Sequence, residues 1–580
     1  MKLRGLRFCL LLVSCTAAVN AFSLDREAFT FTKYDMEVRV EPAQQRLGVR
    51  GTIALRNDSQ VPQKIAVLQI SSSLDWRSIR AGGKQLQFVA QSYTSDIDHT
   101  GTLSEAIVTL PEAVPPKHTV NLEIAYEGLI VLDATRLTRI DTPESIANST
   151  DWDQISAKFT AVRGAGYVAW YPVATEAGSL SEGDSAFDVV DRWKARETAS
   201  TMHLKVSVPS DDATDKPELM VNATTCPTAL EVRHQFQADC TYRSLGMVAP
   251  MFVIADYEVV DRAAVEVHFL RGHNAAATNY GDAAEKAAPF ITEWFGAQRS
   301  KAQTAELADA NAPPFESGSL LLTPLTGTDP KLAGLAAAHQ LTHGAFFSPR
   351  PWINEGLAHF AQAIYLEQLS GRQAAINYMG LHRSALSAIE KEKVDLTTVP
   401  RSEDEVNRSL VNTTDEQLYR SKAMCVWWML RDMVGEPAMK KALASYRPDD
   451  DKEPSYMQRL IQAQTQKDLG WFFDDWVYHD RGLPEFKIES AFARKTLPGA
   501  YVLTVTVSDQ GVAGAEVPLT VKYAGGEVTQ QLAVRGKSNG VIRVEVPKPP
   551  EEVSVNDDSV PEGETKNHVF KIETSDDRKQ

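Results

Sequence analysis

The chain is poor in cysteine, with five in 580 residues, and two of these, Cys9 and Cys15, fall within the first 21 residues. A disulfide-dense scaffold is therefore excluded. Beyond the N-terminus there is no run of about 18 uncharged apolar residues, so no later segment reads as a membrane-spanning helix. Positive charge is also short: 60 Lys and Arg stand against 76 Asp and Glu, for a formal net charge of −16. Such a chain repels phosphate backbones, and no basic patch interleaved with aromatics offsets this, so nucleic acid is not an expected partner. No internal repeat is present, and the length exceeds what one core supports, which predicts roughly three or four domains.

The opening stretch MKLRGLRFCLLLVSCTAAVNA, residues 1–21, has a basic start (Lys2, Arg4, Arg7), an apolar run from Phe8 to Val13 and small residues near its end. It reads as an export signal cleaved after Ala21, which places the protein in the periplasm or outside the cell. A competing reading takes LVSC, ending at Cys15, as a lipobox whose cysteine would carry a lipid anchor. Of the remaining cysteines, Cys226 and Cys240 flank a stretch that alternates like a strand pair, and in an exported chain they are expected to form a hairpin disulfide. Cys425 lies in KAMCVWWML, an apolar helical stretch, and reads as a buried thiol.

Alternating segments such as YDMEVRVEP, GTIALRN and TMHLKVSVP predict an N-terminal antiparallel β-domain over residues 25–262. Within it WYPVATEAGSLSEGDS reads as a long polar loop. Helical spacing dominates residues 263–486, alternation returns over 487–556 as a small β-sandwich, and 557–580 read as a charged, mostly disordered tail. The fold class expected is multidomain α+β.

The candidate chemistry lies in LAAAHQLTHGAFFSPRPWINEGLAHF, residues 335–360. His339 and His343 are four apart on a helix, so both imidazoles project from one face and can reach a single cation. Pro349 and Pro351 end that helix and force a turn, after which Glu355 opens a second helix that can return its carboxylate to the histidines. Two histidines and a glutamate form a catalytic zinc set that leaves one position open, so one zinc ion is expected at His339, His343 and Glu355. His359, one turn after Glu355, reads as a packed histidine beside the ligands.

These motifs resemble the membrane-alanyl-aminopeptidase family of gluzincin zinc metallopeptidases, whose signature is HExxH followed on the next helix by NEG. HQLTH and NEGLAHF stand in those places here, and the distance between them is shortened as in peptidase-MA-type relatives. The resemblance implies a thermolysin-like, mainly helical catalytic domain between the β-domain and the β-sandwich, an aminopeptidase activity and a peptide substrate. It implies that Glu316, in PPFESGSLLL, binds the substrate's free amino group, and that Tyr419, with Tyr378 in reserve, supports the developing oxyanion. The departure is Gln340, which occupies the general-base position. A carboxamide cannot accept a proton at neutral pH, so the site is expected either to hydrolyse weakly or to belong to a pseudopeptidase that binds peptides or proteins, and Gln340→Glu is expected to restore turnover.

Overall fold

The structure is a computed structural model that describes residues 24–182, 185–209, 217–227, 230–231, 234–245, 248–318, 320–327, 329–388, 409–413, 415–496, 499–563 and 568–572. The leader, with Cys15, lies outside the described residues, as do residues 573–580 of the tail.

Alternation sets the first sheet. In Phe29–Glu41, Tyr34, Met36, Val38 and Val40 are buried while Asp35, Glu37 and Arg39 are exposed, the period-two pattern of a strand with one dry face. This strand sits inside an eight-stranded sheet, pairing antiparallel with Arg46–Asn57 on one side. On the other side it pairs in parallel with Thr201–Pro209, from Lys33↔Thr201 to Arg39↔Ser207. The expected purely antiparallel domain is thus a mixed one, because a strand so late in the chain returns in the same direction as the first. Cys226 and Cys240 are joined as a disulfide with their Cα atoms 4.2 Å apart. Among its described residues the stretch expected to be a polar loop carries no strand beyond the single bridge of Val173 to Gln69, yet its Trp170 and Tyr171 are fully buried in the core of this domain.

The middle region is not simply helical. Five strands form a sheet in the order Tyr257–Asp261, Val265–Leu270, Ala302–Glu306, Leu320–Thr323 and Phe315–Ser317. The three central ones run parallel, linked in part by the helix Asn274–Phe295, and this short α/β unit forms the floor for the helices that carry the histidines. The short, largely apolar strands gave little periodic signal, which is why helical spacing alone was read there.

The helix Pro330–Ala345 begins where the Asp329 side chain accepts the Lys331 amide at 2.8 Å, with Pro330 at the first helical position. It ends before the turn of residues 346–350, and Pro351 opens the helix Pro351–Ser370. That second helix lies against Ala423–Val434 at a glycine: a Cβ at Gly356 would stand 2.6 Å from Ala423 Cβ and 3.0 Å from Trp427 Nε1. The contact is sealed by Trp352 and Trp427, stacked at 5.1 Å, with the Trp427 indole donating to the Trp352 carbonyl at 3.1 Å.

The C-terminal strands form two sheets, of three and four strands. The fourth strand of the latter is Val569–Lys571, paired with Pro550–Val555, and Val560 and Glu562 are buried. The segment read as a disordered tail is thereby corrected for residues 557–563 and 568–572, whose few apolar residues close the edge of the sandwich.

Candidate metal centre

Two helices and one edge strand bring the donors together. His339 Nε2 and His343 Nε2 are 3.2 Å apart. Glu355 places one oxygen 3.5 Å from His343 Nε2 and the other 4.0 Å from His339 Nε2. Ligands about 2.0–2.1 Å from a tetrahedral zinc are separated from each other by roughly 3.3–3.5 Å. The His339–His343 and His343–Glu355 spacings match this, while the 4.0 Å from His339 to the other Glu355 oxygen exceeds it, so the carboxylate must shift a little to close on an ion. The tautomer fits as well: Gln362 Oε1 lies 3.3 Å from His339 Nδ1 and accepts from it, which leaves the Nε2 lone pair facing the cluster. Gln362 is itself held by the Tyr378 hydroxyl at 2.9 Å, so Tyr378 acts behind the histidine. Asn354 contacts His343 Nδ1 at 3.2 Å.

Glu316, on the edge strand Phe315–Ser317, comes to 3.3 Å from His339 Nε2 through one oxygen. Two groups of donors stand close enough to hold an ion: Glu316 with His339 and His343, and His339 with Glu355 and His359; the set expected from the sequence, His339, His343 and Glu355, is divided between them. Sequence reasoning took Glu316 for an amino anchor and His359 for packing. Their position one strand edge or one helical turn from the ligands brings both to the cluster itself.

The electrostatics follow from burial. Burial would raise Glu355, but His343, Arg420 and His339 pull its carboxyl down to about 2. Burial and the nearby Glu355 charge push Glu316 well above the usual carboxylate range. His339 and His343 are depressed by burial, and His359 is brought to about 3 by the same cause. Neutral imidazoles beside an ionised carboxylate are the protonation states that a divalent cation needs.

The cluster opens on a cavity of about 850 Å³, walled by Glu316, His339, Glu355 and Tyr419 and, from the β-domain, by Tyr167 and the helix Ser185–Arg196. Tyr167 meets Phe315, the neighbour of Glu316, edge to face at 5.3 Å, so the β-domain supports the strand that carries Glu316.

Gln340 is turned elsewhere. Fully buried, it accepts from the Tyr280 hydroxyl at 2.9 Å and from Thr304 Oγ1 at 3.1 Å, and its amide donates to the Gln303 carbonyl at 2.6 Å. It binds the helix to the sheet and does not line the cavity. The general-base position is therefore filled by a group whose hydrogen bonds need an amide. Arg420 was missed altogether: its Nε lies 3.5 Å from Glu355. The signal for it was indirect, a tyrosine one residue out of register with the family pattern.

No family model matches the chain, and no curated protein matches it. Among solved structures, the neighbours are M1 zinc metallopeptidases. A substituted form of the enzyme from Deinococcus radiodurans, bound to a Tyr-Ser-Ala substrate, is 17% identical, with 79% of this chain and 96% of that one covered at a TM-score of 0.45. The M1 zinc metallopeptidase from Deinococcus radiodurans itself is 16% identical, with 78% and 95% covered at a TM-score of 0.43. At such values the likeness carries no argument about the site, which stands on its own geometry.

Proposed function

We propose that this chain is a zinc-binding protein of the metallopeptidase type, with His339, His343 and Glu355 as ligands, and that it acts as a slow aminopeptidase. The observation that carries this reading is the set of donors gathered within 3.2 to 4.0 Å of one another on the wall of a large cavity. Zinc bound there would supply Lewis-acid polarisation of a substrate carbonyl. Glu316 supplies the anchor for a peptide's free amino group, since its Oε1 is buried and has no hydrogen-bond partner among the described residues. Position 340 supplies no base, and losing general-base catalysis removes about 10²–10⁴ in rate, which makes the enzyme slow. The leader of residues 1–21 and the pairing of Cys226 with Cys240 support export.

A second reading, a pseudopeptidase that only binds peptides or proteins, is favoured by two observations. Gln340 is committed to the sheet, and Glu316 Oε2 stands close enough to His339 to close the coordination shell as a fourth donor. Purified protein should carry about one zinc per chain, lost on His343→Ala. A fluorogenic peptide screen then decides: slow cleavage of unblocked but not N-acetylated peptides supports the first reading, and peptide binding without cleavage supports the second. Metal-free protein from zinc-replete medium sinks both.

A further inference from the structure

The residue that follows Tyr419 sits where the helical register changes. Gln417–Lys422 form a π-helical turn that runs directly into the helix Ala423–Val434. A π turn holds one residue more than the α-helix it interrupts, and such insertions recur at functional sites because they re-aim side chains. Here the turn advances the chain by one position ahead of Lys422, which is fully buried, donates to the Gly482 carbonyl at 3.2 Å and pairs with Asp480. With Lys422 fixed from below, the extra residue is taken up above it, and Arg420 faces the metal cluster.

Arg420 is hydrogen-bonded at one end only. Its Nη1 donates to Glu416 at 2.9 Å, while its Nε is buried, lies 3.5 Å from Glu355 and has no hydrogen-bond partner among the described residues. A guanidinium carries five N–H donors in a rigid plane suited to an oxyanion. A buried N–H on a cavity wall that has an ion-pair contact with Glu355 but no hydrogen bond among the described residues marks a place where a ligand oxygen can complete the set.

We propose that Arg420, rather than Tyr419, is the side chain that stabilises the negative charge on the substrate's carbonyl oxygen in this site. As the oxygen of a hydroxide ion from solvent bonds to the carbonyl carbon, so that no proton is left to be taken up by a base, the C=O π electrons move onto the carbonyl oxygen, and the Arg420 Nε–H donates to that carbonyl oxygen. The inference rests on the peptide-binding reading above but has its own test, in which turnover is not needed.

The test uses the zinc-loaded full chain and two probes. One is a phosphinic pseudodipeptide with a free amino end, which carries a permanent negative charge where the oxyanion would form. The other is the uncharged dipeptide amide of the same side chains. Arg420→Ala should weaken phosphinate binding about 10- to 100-fold while changing dipeptide-amide affinity less than about threefold, and Arg420→Lys should recover part of the loss. Tyr419→Phe should change both affinities less than about threefold. Equal losses for the two probes in Arg420→Ala, no loss, or a larger phosphinate loss in Tyr419→Phe overturns the proposal. Zinc content and melting temperature, unchanged in each variant, show that the site is intact. If the parent protein binds neither probe, the peptide-binding reading itself fails, an outcome distinct from the parent binding both while Arg420→Ala leaves them equal.

Discussion

The molecule buries two polar clusters and pairs their charged side chains to different degrees. In the β-domain, Arg136 donates to both oxygens of Asp151 at 2.7 Å and to the Asp96 and Gly166 carbonyls at 2.8 and 2.6 Å. Beside it Arg163 is bound twice to Asp153, at 3.0 and 2.7 Å, donates to the Thr150 carbonyl at 2.8 Å and stacks 3.6 Å over Tyr167. In the metal centre, by contrast, Glu316 Oε1, His359 Nδ1 and Arg420 Nε have no hydrogen-bond partner among the described residues. Buried polar atoms cost free energy unless they are paired, so a fold that closes one network and leaves the other open has reserved the second for something that arrives later. The closed network serves the open one, because Tyr167 carries the Arg163 stack on one side and Phe315 on the other.

The largest effect that would break this contrast is expected from Asp153→Ala. It strands a buried guanidinium and should cost about 3–5 kcal/mol in urea unfolding, whereas a cost under about 1 kcal/mol would show that the β-domain network is no more closed than the site. Glu197 sharpens the comparison within the β-domain. It accepts the Phe31 amide at 3.0 Å and the Ser200 hydroxyl at 3.0 Å, yet burial brings its carboxyl up to about 7. The raised acid favours the protonated folded state, so stability should fall as pH rises from the unfolded value of about 4.5 through 7. Glu197→Gln keeps the acceptor for Phe31 and removes the charge, and should flatten that slope and gain about 3 kcal/mol at pH 8. An unchanged slope refutes the assignment.

The open cluster should respond in the reverse sense, being stabilised by what it lacks. Free zinc at about 100 times its Kd is expected to add about 2.7 kcal/mol to unfolding, read as a rise in Tm that His343→Ala abolishes. The smallest effect concerns Gln340→Glu. A carboxylate would face the Gln303 carbonyl in place of an amide donor, at a cost of about 1–3 kcal/mol. Turnover should rise less than about tenfold, and a rise of 10²–10⁴ would mean that the side chain swings into the cavity after all.

That His339, His343 and Glu355 would come together was legible in the sequence because their spacing is a property of one helix and one proline turn: i to i+4 places two imidazoles on a face, and Pro351 dictates where the next helix starts. Glu316 was named but not placed, since a strand edge says nothing about which neighbour it will meet. The role of Gln340 could not be read locally at all, because it depends on Tyr280 and Gln303, which reach it from another helix and a strand of the sheet. The β-domain was recognised from alternation, while its parallel pairing was not, since alternation reports a strand's two faces and is silent on its direction. Arg420 is the sharpest case: it lies in the π turn of Gln417–Lys422, which only backbone geometry reveals.

The parallel pairing of Phe29–Glu41 with Thr201–Pro209 also sets a clock on synthesis. When the first strand leaves the ribosome it can pair at once with Arg46–Asn57, but its other edge waits for a partner some 170 residues downstream. At about 5–20 residues per second that wait is on the order of 10–30 s, during which a strand with a continuous apolar face is open to any passing edge. A chain built this way depends on being shielded while it is made, and its refolding from denaturant should be slow and sharply sensitive to protein concentration.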